Sequence, residues 1–377
     1  MIMTRLLAAT LSLALMSACQ DASTDPAAEA RAAAAANRWV DAHRQAGAAL
    51  RDDPANAELL ELRLRAALAL GDGEGALAMA DRLAAANTDW GPGQLDRLRA
   101  EAHIRRGDPA AALTLLANDS TADAYRLRAM AHGVAGRMDE AAAERLAGLA
   151  YAPDDPRLNA DQALALAEQG DGAGARQHAA RALAAAPDGL DGLLAAGRVE
   201  LSLGDAGSAI TRLAKAHRLY PDSHGALVAY AQALGMTGQI DAARPLIERA
   251  HAAAPEDLAV ALLKARLAAQ DGQWDLVQAT LQRVEDRLRE SADAAILYAH
   301  ALNRTGQGVQ ARALAERTHT RHPDYVPAVR FLAELHLAEG RREEAAALLR
   351  PYLSDAKAEP YLRDAAREAG LTAKAGG

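Results

Sequence analysis

Two glycine-rich strings in this chain have the composition of loops that hold phosphate groups. They run from Gly71 to Gly75 and from Gly170 to Gly174. A phosphate-binding loop of this kind follows a β-strand, opens a helix and ends in Lys followed by Ser or Thr. Neither string has such a pair after it, and no strand pattern precedes either one. Both strings begin where a repeated pattern of glycines places a turn, so we interpret them as turns between helices.

Histidines form the second group of residues that could bind a ligand. His319 and His322 are three residues apart, and His217, His251 and His319 recur at one place in a repeated pattern. A zinc site on a helix needs a third histidine or a carboxylate within reach, and the chain has no His-Glu-x-x-His string. We therefore interpret the recurrence as a contact between neighbouring repeats. We expect neither a metal nor a cofactor.

The sequence offers no clear candidate for covalent catalysis. It has no Gly-x-Ser-x-Gly string, its single cysteine lies near the N-terminus, and its carboxylates are scattered. We expect no enzyme activity and no small-molecule substrate. The formal net charge is −8, and Lys and Arg are interleaved with Asp and Glu. Because a nucleic-acid-binding face is basic, this pattern argues against a nucleic-acid partner.

Composition favours an elongated all-α protein. At 377 residues the chain is too long for one compact core, so it must divide into domains or form a repeat array. Half of the residues are hydrophobic, but aromatic residues make up only 3% and alanine is abundant. Small side chains let helices approach closely while they fill little volume, which suits helix pairs stacked side by side.

The single cysteine, Cys19, follows an N-terminal leader. Arg5 precedes a mostly apolar run from Leu6 to Leu15, and small residues end at Ala18, directly before the cysteine. An apolar run of about ten residues is too short to span a bilayer as a permanent helix. The arrangement resembles a bacterial lipoprotein signal with its lipobox.

This resemblance implies that residues 1–18 are removed and that Cys19 is acylated as the first residue of the mature chain. Residues 19–26 would then link the lipid anchor to the rest of the protein, which would face the periplasm from the membrane of the bacterial cell envelope. Gln20, in place of an aspartate, implies the outer membrane rather than the inner one. The alternative is an ordinary secretory signal peptide, cleaved near Ala18, that leaves a free thiol.

The strongest pattern in the chain is a period of 34 residues. Glycine recurs seven times at this interval, at Gly136, Gly170, Gly204, Gly238, Gly272, Gly306 and Gly340. Proline follows five of these glycines at a distance of 17 residues, at Pro153, Pro187, Pro221, Pro255 and Pro323. Glycine ends a helix readily because it adopts the left-handed conformation, and proline cannot continue a helix. Each unit is therefore predicted to be a helix, a turn, a second helix and a second turn.

The same pattern extends towards the N-terminus with two slips. Asn37, Gly71 and Gly107 mark three earlier turns. The intervals before and after Gly107 are 36 and 29 residues, which predicts a longer connection on one side of it and a shorter one on the other. We count ten hairpins in all. A last helix near Glu359 to Ala369 carries charges that would cover the exposed end of the stack, as repeat proteins require.

The repeat from Leu190 to Ser223 shows the pattern most completely. Its positions 8, 15, 20, 27 and 32 hold Gly197, Gly204, Ala209, Ala216 and Pro221. With these residues in place, the chain resembles the tetratricopeptide repeat family. The resemblance implies a right-handed superhelical solenoid of about ten helical hairpins over residues 27–357, followed by a C-terminal capping helix and tail at residues 358–377.

By the same resemblance, positions 5 and 9 of each first helix face a concave groove that binds proteins or peptides. In four consecutive repeats position 5 holds Leu194, Val228, Leu262 and Ile296, and position 9 holds Arg198, Gln232, Arg266 and His300. An apolar row beside a polar row suits peptide binding, because apolar side chains supply affinity and polar side chains fix the register. The alternative is that position 5 turns inward and packs the helices together.

These observations lead to three hypotheses about function. The first is an interaction scaffold, anchored in the envelope, that assists the assembly or stability of a pilus, secretion or wall-synthesis complex. The second is a periplasmic chaperone-like protein that holds exported chains. The third is a non-catalytic accessory subunit of polysaccharide export. The scarcity of aromatic residues counts against the third, because sugar-binding clefts commonly stack sugars on aromatic rings.

Overall fold

The computed structural model describes residues 25–86, 93–353 and 360–371. All regular secondary structure in these residues is helical, with 21 α-helices and one short 3₁₀-helix, so the predicted all-α repeat fold is confirmed. Cys19, Gln20 and the N-terminal leader lie outside the described residues. Lipidation and the domain boundaries after residues 18, 26 and 357 therefore stay predictions.

The helices form ten successive hairpins, each with a first and a second helix. The first helices are α1 (Pro26–Ala35), α3 (Ala57–Ala69), α5 (Gln94–Arg105), α7 (Ala122–Val134), α9 (Pro156–Glu168), α11 (Leu190–Ser202), α13 (His224–Met236), α15 (Leu258–Gln270), α17 (Ala292–Arg304) and α19 (Val326–Ala338). The second helices are α2 (Trp39–Ala49), α4 (Gly73–Ala85), α6 (Pro109–Leu115), α8 (Met138–Tyr151), α10 (Gly172–Ala185), α12 (Ala206–Leu219), α14 (Ile240–Ala253), α16 (Trp274–Gln282), α18 (Gly308–Arg321) and α20 (Arg342–Leu353). The 3₁₀-helix Glu285–Glu290 follows α16, and α21 (Pro360–Glu368) comes last.

A residue in the left-handed conformation separates the two helices of every hairpin. The φ angle is 54° at Asn37 and lies between 71° and 86° at nine glycines, Gly71, Gly107, Gly136, Gly170, Gly204, Gly238, Gly272, Gly306 and Gly340. Residues with a Cβ are disfavoured there, which explains why glycine recurs at this place. The predicted turns, including the three before Gly136, are confirmed.

Aspartate follows the turn glycine in four hairpins and caps the second helix. The carboxylates of Asp72, Asp108, Asp171 and Asp205 each accept a hydrogen bond of 2.8–3.2 Å from the main-chain N–H three residues later. A Cβ at Gly75 or Gly174 would overlap the capping carboxylate. The glycine-rich strings are therefore helix caps, in agreement with their interpretation as turns.

Small residues let the two helices of a hairpin pack closely. In the hairpin of α11 and α12, Ala209, Leu213 and Ala216 are fully buried. A Cβ added to Gly197 would lie 2.5 Å from Cγ of Leu213, so only glycine fits opposite this leucine. Alanine and glycine at the crossing points are therefore a packing requirement and not a matter of composition alone.

The chain forms two compact units, and their boundary in sequence lies within α13. The first unit runs to Ala229 and the second begins at Tyr230. In the first unit α6 is only seven residues long, where most second helices have 11 to 14, which accounts for the short interval after Gly107. In the second unit α21 packs through Ala366 and Ala369 against α19 and α20, so the predicted last helix is confirmed. None of the described helices is long and apolar enough to cross a membrane.

Candidate peptide-binding surface

In the first unit, the residues predicted to bind a peptide lie on α11 and α13. Leu194 is half-buried and packs beside Leu193 and Ala216. Arg198 follows one helical turn later and is exposed. Val228, on α13, is half-buried. An apolar side chain that is partly accessible therefore lies one turn from an exposed cation on the same helix.

In the second unit, the predicted residues differ in exposure. Gln232 and Arg266, at position 9 of their repeats, are exposed, and Leu262 is half-buried against the core. Ile296, however, is only 3% exposed and belongs to the core itself. Its burial agrees with the alternative interpretation of position 5, in which the side chain packs the helices together.

Arg266 is held by residues of the next two hairpins. Its Nη2 atom lies 2.7 Å from Oδ2 of Asp293 on α17, and the hydroxyl of Tyr325, just before α19, donates to the other oxygen of the same carboxylate. Both charged side chains are about half-exposed, so the ion pair contributes little stability. The ion pair instead fixes the position of the Arg266 guanidinium.

His300 packs against an aromatic ring in the second unit. The ring centroids of His300 and Phe331 are 4.2 Å apart and the rings are inclined by 54°. Burial lowers the pKa of His300, and the nearby Arg330 and Arg304 act in the same direction, while Glu334 opposes them. The imidazole is therefore neutral at neutral pH and presents a polar, uncharged edge.

A buried ion-pair network in the first unit was not predicted from the sequence. Arg126 of α7 is 7% exposed, and its Nε atom lies 3.0 Å from a carboxylate oxygen of Asp161 on α9. Asp191 of α11 lies 3.8 Å from Arg126 and 3.3 Å from Arg157, which also contacts Asp123 at 3.1 Å. Burial, reinforced by Asp191, raises the pKa of Asp161. The network joins three successive first helices.

One signal in the sequence could have revealed this network. Arg126 occupies position 5 of its repeat, 68 residues before Leu194 in the same column. The predicted row begins at Leu194 because the preceding repeat, with Ala160 and Leu164 at positions 5 and 9, has no polar residue at position 9. Reading the column over the whole chain would have placed a cation at Arg126 beside acidic residues at nearby positions.

The described residues contain no group of three or more His, Cys, Asp or Glu side chains that could hold a metal ion. Part of the chain matches a known protein family. A family model described as tetratricopeptide repeat matches residues 200–267 and 302–368. Over these two ranges the chain consists of tetratricopeptide repeats. No curated protein matches it.

Solved structures resemble the tetratricopeptide repeats of this chain at low sequence identity. A chain of the APC/C hetero-tetramer Cut9-Hcn1 is 11% identical, with a TM-score of 0.54 over 96% of this chain and 99% of that one. A tetratricopeptide repeat protein from Parabacteroides merdae is 14% identical, with a TM-score of 0.47 over 66% of this chain and 98% of that one. The type IV pilus biogenesis factor PilW is 18% identical, with a TM-score of 0.44 over 55% of this chain and 96% of that one. The first likeness shows a shared fold. The match to the tetratricopeptide repeat family supports a protein–protein interaction scaffold.

Proposed function

We propose that this protein holds segments of other proteins on the surface of its first helices, as a scaffold for a complex of the bacterial envelope. The observation that carries the proposal is the exposure of Arg198, Gln232 and Arg266. Each is the position-9 residue of its repeat and lies one turn from a half-buried apolar residue at position 5. The apolar residues can supply affinity for a bound segment, and the polar residues can fix its register along the surface.

The location in the envelope rests on the sequence before the described residues. Cys19 and the apolar leader that precedes it resemble a lipoprotein signal. We expect the wild-type protein to fractionate with membranes and to incorporate a fatty-acid label. The Cys19→Ala variant should lose the label. Labelling of the variant at the wild-type level would contradict the assignment of the anchor.

Binding to the first-helix surface is tested by charge reversal and crosslinking in intact cells. The Arg198→Glu/Arg266→Glu variant should lose the proteins that crosslink to the wild type, because it reverses one exposed charge in each unit. The matched control is Arg181→Glu/Arg317→Glu, which reverses one exposed charge per unit on the second helices α10 and α18. Equal crosslinking by both variants would show that the partners do not use the first helices.

A further inference from the structure

A small cavity opens between the first helices α13 and α15 in the second unit. Its volume is about 200 Å³, and Met236, at its edge, is 57% exposed. The buried or half-buried apolar residues Ile247, Leu263 and Leu267 form its floor. The exposed polar residues Gln232, Arg266 and Gln270 lie at its rim. Since a molecule of liquid water takes about 30 Å³, the cavity has room for one side chain of the size of leucine.

The first unit has a cavity at the same place in its repeats, with the opposite chemistry. It lies between α7 and α9 and has a volume of about 220 Å³. Arg145, Asp161 and Leu164 line it where the second-unit cavity has Ile247, Leu263 and Arg266, 102 residues or three repeats later in each case. The backbone setting is thus shared, and the side chains alone decide what each cavity accepts.

The charged floor of the first-unit cavity is satisfied from within the protein. Nε of Arg145 donates to Gln162 at 2.9 Å, and Asp161 is paired with Arg126. In the first-unit cavity, ion pairs and hydrogen bonds therefore satisfy the polar groups of the floor. In the second-unit cavity, leucine and isoleucine at the same repeat positions leave the floor apolar. The apolar floor is consequently a property of the second-unit cavity and not a requirement of the repeat.

Gly235 keeps the mouth of the second-unit cavity open. It lies in α13, lines the cavity, and has no positive φ. A Cβ added there would meet no atom within 4 Å. Neither backbone conformation nor packing therefore requires glycine, although glycine is the poorer helix former. Any larger side chain at this position would narrow the entrance.

The charged side chain at the rim of this cavity is a cation. Among the described residues, Arg266 is the only charged residue that lines the cavity, and no carboxylate lines it. On the next first helix, Arg304 is exposed and lies over the ring of Trp274 at 5.6 Å, and within the described part of the chain it forms no ion pair. Asp293 occupies one side of Arg266 but leaves several of its five donors free. An acidic group in the partner would complement this rim.

We propose that the second-unit cavity binds an aliphatic side chain of a partner peptide that carries an acidic residue two or three positions away. The inference rests on the proposed function and specifies its partner. Neighbouring packed helices lie about 8–10 Å apart, and an extended peptide advances about 3.3 Å per residue. A side chain in the cavity thus places the residue two or three positions along the peptide near Arg304.

The direct test is binding of a labelled, capped peptide, Ser-Asp-Ser-Leu-Ser-Asp-Ser, to the full chain by fluorescence anisotropy. Its acidic residues flank leucine on both sides, so the direction of the bound peptide does not matter. Replacing leucine by alanine should weaken binding about tenfold, from the apolar area that is no longer buried. Replacing both aspartates by lysine should also weaken it. No binding of the parent peptide, or equal binding of all three, overturns the proposal.

Two glycine variants test whether the peptide enters this cavity. Gly235→Leu should fill the mouth and weaken binding about tenfold, with no loss of thermal stability because the added side chain meets open space. Gly133→Leu is the matched control, since Gly133 has the equivalent place in α7 and its Cβ would also meet nothing within 4 Å. It should bind the peptide as the wild type does. Undiminished binding by Gly235→Leu overturns the proposal.

Two further outcomes separate this inference from the proposed function. If Arg198→Glu/Arg266→Glu loses its crosslinked partners while Gly235→Leu keeps them and also binds the peptide normally, the scaffold stands and the cavity proposal fails. If Gly235→Leu changes the oligomeric state but not peptide binding, the cavity belongs to contact with a second copy of the chain. That result also overturns the proposal.

Discussion

The side-chain amide of Asn37 donates a hydrogen bond to the main-chain carbonyl of Leu219, 182 residues away in the same unit. The distance is 3.2 Å. Nearby, the main-chain N–H of Val40 donates to the carboxylate of Asp222 at 3.0 Å. The first hairpin turn of the first unit therefore contacts the end of the sixth hairpin. Asn37 is also the only non-glycine residue with positive φ in the described chain, and its side chain supplies this bond.

Removing the carboxylate of Asp222 should open this contact. We expect Asp222→Ala to accelerate hydrogen exchange at the Val40 amide, because that N–H loses its acceptor. Exchange in the helices from α15 onward serves as the internal control and should not change. Exchange at Val40 that is as slow in the variant as in the wild type would mean that the contact does not persist in solution.

Two variants of Asn37 separate the contribution of its backbone conformation to stability from that of its side-chain hydrogen bond. Asn37→Gly keeps a residue that tolerates positive φ but loses the amide, so we expect it to cost about 1 kcal/mol of unfolding free energy at most. Asn37→Ala loses the amide and also places a Cβ in the left-handed region, at a further cost of about 1–2 kcal/mol. Urea unfolding of the two variants checks the order. A more stable alanine variant would contradict it.

Glycines in turns and glycines in helices should respond in opposite ways to alanine. Gly306 has a φ of 86° between α17 and α18, so Gly306→Ala should destabilise the protein by about 1–2 kcal/mol. Gly235 lies within α13 with open space around its Cβ, so Gly235→Ala should be neutral or stabilise by up to about 1 kcal/mol. Thermal unfolding of the two variants measures both. Similar losses in both would contradict the distinction.

The fold was predictable because backbone geometry requires particular residues at fixed intervals. A left-handed turn admits glycine or asparagine almost alone, so Gly136 to Gly340 and Asn37 indicate the hairpins directly. The exposed fraction of the individual side chains predicted to bind a peptide was less predictable. Ile296 and Leu262 hold the same position in consecutive repeats, yet one is in the core and the other is half-buried. Local packing of neighbouring side chains decides this, and no spacing in the sequence records it.

The ion-pair network and the cavities could not be predicted for a related reason. Arg126 and Asp161 are 35 residues apart and come together only because successive first helices pack side by side. The cavity at Gly235 depends on three helices at once. Period and composition locate the helices but not the space that remains between them. The sequence therefore predicted the elements well and the contacts between repeats poorly.

Breaking the buried pair in the first unit should be more damaging than removing it whole. Arg126→Met leaves Asp161 without its nearest cation, and we expect a loss of about 3–5 kcal/mol in unfolding free energy. Adding Asp161→Leu should restore much of it, since the double variant replaces an ion pair by apolar side chains. Arg157→Met is the control, because Arg157 is 38% exposed and should cost about 1 kcal/mol or less. Additive losses in the double variant would show that the pair is not coupled.

Lowering the pH should decrease the free energy of unfolding of the second unit, partly through His300. Burial lowers its pKa in the folded protein, whereas a histidine in an unfolded chain has a pKa of about 6.5. As the pH falls through about 6.5, the unfolded state therefore takes up the proton first, and the free energy of unfolding decreases until the pH reaches the folded pKa.

The variant His300→Gln keeps a polar side chain beside Phe331 but cannot titrate. Its unfolding free energy should fall less than that of the wild type between about pH 7.5 and about pH 5. Some pH dependence should remain, because burial also lowers the pKa of His251 in the same unit. Urea unfolding of both proteins at the two pH values measures the difference. An equal decrease in the two proteins would show that His300 titrates normally in the folded chain and is not shielded by its contact with Phe331.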